Sequence, residues 1–112
     1  MNLITGKISS GTFRAENTSV SGLKCEDGPI VLGFRAEDAE VTHDLGEINA
    51  SIYTLELLGD ATMVTVRLAG DLVCVKADKT FRASIGDKVA ISLLAQNCHL
   101  FNAKTGDAQR VT

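Results

Sequence analysis

Aromatic side chains are scarce in this sequence, at 4% of 112 residues. Single-stranded nucleic acid is gripped by stacking bases on aromatic platforms inside a basic groove. Here acidic residues (14) outnumber Lys and Arg (11), for a net charge of -3. Neither the platforms nor the electrostatic footprint of a nucleic-acid or anionic-lipid partner is present. No apolar run approaches the length needed to span a bilayer. The N-terminus has no basic stretch leading into an apolar one, so no secretion signal is legible. A soluble, cytoplasmic chain is the expectation. The cysteines are few and odd in number: Cys25, Cys74 and Cys98. That count argues against a disulfide framework and for thiols used as small apolar fillers.

Catalytic patterns are equally sparse. A phosphate-cradling loop needs two glycines five apart, then Lys and Ser or Thr, so that backbone amides meet the phosphates and the hydroxyl meets the metal. Gly28 and Gly33 have the spacing, but Phe34 and Arg35 follow. Gly6 and Gly11 fail in the same way, with Thr12 and Phe13 next. A zinc site needs four N or S ligands together. Cys98 and His99 are adjacent, and on a strand adjacent side chains point to opposite faces. Ser84 lacks the glycine two residues before it that a nucleophile elbow requires. The carboxylates Glu26, Asp27, Glu37, Asp38 and Glu40 read as a solvated surface. No cofactor, metal or catalytic group is therefore expected in this chain.

What the sequence does hold is rhythm. Ten glycines and one proline divide short runs of Val, Ile, Leu and Thr. Strands are expected at 2–9, 13–15, 18–23 and 30–34, with turns at Ser10-Gly11 and Glu16-Asn17 and a break at 26–29. Residues 35–41 are charged and Ala-rich and predict one short helical turn. Residues 47–58 place Ile48, Ala50 and Ile52 on one face, continued more weakly by Thr54, Glu56 and Leu58. Further strands are expected around Val64–Leu68, at 72–77 and at 88–93, with turns at Gly70-Asp71, Gly86-Asp87 and Thr105-Gly106-Asp107. About eight or nine short strands with evenly spaced turns predict a single all-β domain over 1–112, closed into an OB-like barrel because closure removes exposed edges.

Three stretches then stand in order. Val31-Leu32-Gly33-Phe34-Arg35-Ala36-Glu37-Asp38 resembles an LGxRPE signature. Leu55-Glu56-Leu57-Leu58-Gly59-Asp60-Ala61-Thr62 resembles xExLGxET. Gly86-Asp87-Lys88-Val89, closing on Cys98-His99-Leu100-Phe101-Asn102 and Thr105-Gly106, resembles GDxVxL followed by HLFDxxTG. Together they resemble the C-terminal regulatory domain, the transport-associated OB (TOBE) domain, of the ATP-binding subunits of carbohydrate and glycerol-phosphate ABC importers. Ala36 stands where that pattern has proline, Ala61 where it has an acidic residue, and Leu94-Ala95-Gln96-Asn97 lacks its proline-glutamate.

The resemblance implies a regulatory domain that pairs with a second copy and tethers two ATPase subunits, and that can receive a regulatory protein. ATP and magnesium would sit in a nucleotide-binding domain that this chain lacks. The parent would associate with membrane subunits at the inner face of the cell membrane. The motif positions Gly33, Arg35, Glu37, Glu56, Gly59, Asp60, Thr62, His99, Leu100 and Phe101 are the candidate interaction or structural residues. Gly33 and Gly59 suit tight bends or close backbone approach. Arg35 and Glu37 can form an ion pair, while Leu100 and Phe101 can plug a barrel end with His99 hydrogen-bonding at its mouth. The alternative is an OB-like module binding a small oxyanion or sugar phosphate, with Ser9-Ser10-Gly11 and Lys79-Thr80 as candidate ligating backbone.

Overall fold

The computed structural model describes residues 1–44, 46–68, 71–103 and 108–109. All its regular elements are strands, apart from two single 3-10 turns. In chain order the strands are β1 (Asn2–Ser9), β2 (Thr12–Ala15), β3 (Thr18–Val20), β4 (Gly28–Phe34), β5 (Ala39–Thr42), β6 (Ile48–Leu57), β7 (Ala61–Leu68), β8 (Asp71–Asp78), β9 (Lys88–Leu93), β10 (His99–Asn102) and β11 (Ala108–Gln109). Every pairing is antiparallel.

The expected all-β, OB-like architecture is what the chain adopts. Its central strand is β6. One edge of β6 pairs with β9 over Ile48–Ser51, and the other meets β3 at Ile48 and β7 from Ser51 onward. β7 pairs with β8, and β9 pairs with β5. β5 and β8 then touch without forming a ladder. The circuit β6-β7-β8-β5-β9 is thus a five-stranded barrel with one unpaired seam. From β3 the sheet continues through β2, β1, β4 and β10 to β11 as a curled wing.

A side chain helps tie the wing back to the barrel. Asn2 donates its amide to the Cys74 carbonyl at 2.6 Å and accepts the Cys74 N–H at 2.9 Å. A carboxamide carries the same donor and acceptor as a peptide group, so Asn2 acts as one rung of a ladder between β1 and the outer edge of β8.

Alternation explains the core. Ile4 and Ile8 from β1, Ile30 and Leu32 from β4, Val64, Val66 and Leu68 from β7, and Val73 and Val75 from β8 all point inward and are buried. Phe13 and Phe34 are the largest of the fully buried side chains. Around Gly6 the packing is tight: a Cβ there would lie 2.5 Å from the Arg14 carbonyl oxygen and 2.7 Å from the Phe13 ring. Only glycine lets β1 and β2 cross at that distance.

Three expectations need correction, and one is met. The strand expected over 18–23 stops at Val20, and Leu23 is held by its amide on the Gly11 carbonyl at 3.0 Å. The one short helical turn expected within 35–41 is present as a 3-10 turn at Ala36–Asp38, after which the chain becomes β5. β10, at His99–Asn102, is a strand the sequence reading left in the tail. The inward face of β6 does not continue through Thr54 and Glu56, because the register slips between Ile52 and Thr54. The extra residue, Tyr53, forms a bulge that reverses the alternation, so Leu55 turns inward opposite Val64 while Thr54 and Glu56 are exposed. The turns at Gly70-Asp71 and Thr105-Gly106-Asp107 fall wholly or partly outside the described residues.

Candidate interaction surfaces

The motif residues separate into two groups in space. On β4 and β10, Gly33 lies directly opposite His99, and Val31 opposite Phe101; on the other edge of β4, Gly33 lies opposite Leu3. Directly opposed residues of antiparallel strands share a face. These therefore form one outer surface of the β1–β4–β10 sheet, while Leu32 and Leu100 form the inner one. Gly33 is the floor of this surface. A Cβ there would meet Met1 Sδ at 2.8 Å and, at 3.1 Å, both Leu3 Cδ2 and Phe101 Cε2. Three side chains converge on the space that a larger residue at 33 would fill. Met1 is 63% and Leu3 51% exposed, and Val31 and Phe101 are half-buried, so an apolar patch faces outward.

This geometry revises the barrel-plug expectation. Leu100 is in the core at 1% exposure, but Phe101 lies on the outside over Gly33, and His99 is exposed beside it, its side chain without a hydrogen bond among the described residues. The strand period sends 99 and 101 one way and 100 the other. Arg35 and Glu37 are both exposed and form no ion pair among the described residues; the turn between them is closed by the Asp38 amide on the Arg35 carbonyl at 3.0 Å.

The second group occupies the β6–β7 hairpin. Gly59 sits at φ +81°, the left-handed conformation that a tight turn demands. Leu58 donates to the Ala61 carbonyl at 2.8 Å and Asp60 to the Leu58 carbonyl at 3.0 Å, which close the tip. Glu56 is exposed opposite Met63. Thr62 faces inward, 3% exposed, and its hydroxyl has no hydrogen-bond partner among the described residues. Leu57 and Leu58 are exposed at 71% and 44%, giving the tip an apolar character of its own.

A family model for the TOBE domain matches residues 23–101, more than two thirds of the chain. The chain belongs to the TOBE domain family. TOBE domains are non-catalytic and are commonly regulatory modules of ABC transporter ATPases. No curated protein matches the chain. The matched span holds the whole five-stranded barrel together with β4 and most of β10, while β1, β2 and β3 precede it.

In each backbone stretch considered for an oxyanion in this TOBE domain, one amide already donates to a carboxylate. The Ser10 amide donates to Asp27 Oδ1 at 3.0 Å. The Thr80 amide and hydroxyl both donate to Asp78 Oδ1, at 2.8 and 2.6 Å. Those two hydrogen bonds hold the Asp78 carboxyl below its ordinary pKa, the hydroxyl contributing most.

A different recess is open. Along one edge of β6 the neighbour changes from β3 to β7, and the gap between those strands forms a cleft of about 660 Å³. Its floor is the stretch Asn49–Ser51, with Arg67 from β7 and Lys88 from β9 on either side. Glu16 and Asn17, from the β2–β3 turn, and His43 and Asp44, from the loop after β5, line its rim. The sequence reading missed it because its residues come from five separate segments, and only Lys88 and Val89 among them fall in a motif.

Proposed function

We propose that this TOBE domain is the regulatory module of the ATP-binding subunit of a carbohydrate or glycerol-phosphate ABC importer. Its task is to pair with a second copy of itself. The family match and the ordered motif series support the parentage. The observation that carries the pairing is the outward apolar patch of Met1, Leu3, Val31 and Phe101 gathered over Gly33. Exposed apolar surface on a sheet face is stabilised by burial against a partner, at roughly 25 cal/mol per Å².

Paired modules act as a tether. While ATPase domains open and close, the regulatory domains stay together and keep the effective concentration of one subunit near the other high. A regulatory protein that binds the module better in one arrangement biases the cycle by that difference in affinity. ATP and magnesium belong to the nucleotide-binding domain of the parent, at the cytoplasmic face of the membrane and against its membrane subunits.

Light scattering across micromolar concentrations tests the reading. A dimer mass that Leu3→Asp or Phe101→Asp converts to monomer, with an unchanged circular-dichroism spectrum, is the expected result. A strict monomer at all concentrations, or a dimer indifferent to both substitutions, would remove this face as the pairing surface.

A further inference from the structure

We infer that the cleft between β3 and β7 binds a small phosphorylated polyol, with Arg67 and Lys88 taking the phosphate. Ser51 lies directly opposite Arg67 on one side and Lys88 on the other. The three side chains therefore project from one row of the sheet, on one face, with the hydroxyl between the two cations. All three are exposed. Neither cation has a carboxylate within ion-pair distance among the described residues. Arg67 is instead held by an aromatic ring: its guanidinium carbon lies 4.7 Å from the centroid of Tyr53. That contact fixes the guanidinium over the sheet while leaving its N–H donors unspent. Tyr53 lies two residues from Ser51 and therefore faces the same side of β6, where it too is exposed.

Two cations and a hydroxyl in one row match the needs of a phosphate monoester, which accepts charge-assisted hydrogen bonds on three oxygens. The rim selects what the phosphate is attached to. Glu16 and Asp44 line the opening, and carboxylates accept hydrogen bonds from hydroxyl groups. They also repel a bare anion that offers none. Phosphate at the floor and hydroxyls at the rim describe a sugar or glycerol phosphate better than inorganic phosphate or an unmodified sugar. The inference adds a small-molecule input to the regulatory reading and stands apart from pairing, because binding is measurable on a monomer or a dimer alike.

The test is an NMR titration of the 15N-labelled chain with glucose 6-phosphate, glycerol 3-phosphate, inorganic phosphate and glucose. The two esters are expected to shift the amides of Ser51, Arg67 and Lys88 saturably, inorganic phosphate more weakly, and glucose not at all. Arg67→Gln combined with Lys88→Gln should weaken the esters at least about tenfold, since two charge-assisted contacts are lost. Lys24→Gln, in a loop outside the cleft, should change nothing. Glu16→Gln combined with Asp44→Asn should narrow the preference for esters over inorganic phosphate. Absence of saturable shifts at these amides, or shifts that survive loss of both cations in a folded variant, would overturn the inference. Equal binding of the esters and inorganic phosphate would overturn its polyol half.

Discussion

Replacing Asn2 with Ala should loosen the join between the wing and the barrel by a measurable amount. The two hydrogen bonds from Asn2 to Cys74, at 2.6 and 2.9 Å, connect residues 72 apart in sequence. A net contribution of about 1 kcal/mol per bond sets the scale at about 2 kcal/mol. Both residues are half-buried, so water recovers part of what the Cys74 N–H and C=O lose. The expected cost is therefore about 1.5 kcal/mol. With an unfolding entropy of about 2.1 cal/mol/K per residue, a chain of this length loses about 6 °C in Tm. Asn2→Asp should recover nothing. It keeps the acceptor for the Cys74 N–H but points a second oxygen at the Cys74 carbonyl, where the native amide donates. Calorimetry gives the stability change, and hydrogen exchange at the Cys74 amide gives its location. A Tm within about 1 °C of wild type, with Cys74 still protected, would show that Asn2 holds nothing together and that the wing is anchored by its own ladders alone.

Other outcomes follow from the same geometry. Gly6→Ala should cost more than about 2 kcal/mol, because its Cβ meets the Arg14 carbonyl backbone, whereas Gly33→Ala should cost under about 1 kcal/mol, because Met1 Sδ is the flexible end of a side chain; denaturant unfolding ranks the two. Thr62→Val removes a buried hydroxyl without a partner and should leave stability unchanged or raise it by up to about 1 kcal/mol; a loss above that would mean the hydroxyl is satisfied. Burial, and then the Glu47 carboxylate, push the Cys98 thiol from 9.0 up to about 11. The folded state thus keeps its proton to higher pH than the unfolded state, so the Cys98 contribution to stability should be constant below pH 9 and fall between about 9 and 11, a slope that Cys98→Ala removes. At pH 8 the native Cys98 thiolate population should be about a hundredfold below that of an unfolded thiol, so a thiol reagent should modify Cys25 and Cys74 first.

Much of the fold was legible because period and punctuation agreed. In β7, Val64, Val66 and Leu68 alternate with Met63, Thr65 and Arg67, and the structure buries the first set and leaves the second half-buried or exposed. The compact run Ile30–Phe34 is a strand inside β4, as its length and apolarity implied. The ladder partners were not legible, since nothing local tells β4 that its neighbours are β1 and β10. The Tyr53 bulge was hidden for a related reason. A bulge is a mismatch between two strands, and β6 read alone continues its alternation without a break.

The motif residues show the same division between what a sequence pattern marks and what the residues do. Gly33, Leu100 and Phe101 belong to one stretch of sheet, yet the strand period sends Leu100 into the core and Phe101 to the surface. Gly33 owes its place to neither bend nor backbone contact, since the atoms crowding it are side chains of Met1, Leu3 and Phe101. Gly6, outside every motif, is a position where backbone does approach. A pattern shared across a family therefore locates the surface at β4 and β10, while the steric work that holds β1 against β2 falls to a residue that the pattern leaves unmarked. The cleft extends this separation. Its cations, Arg67 and Lys88, lie inside the matched span, and its rim residues Glu16 and Asn17 lie before it. A charge row that the barrel supplies and the part of the rim that the wing supplies, Glu16 and Asn17, meet because β3 and β7 share one edge of β6.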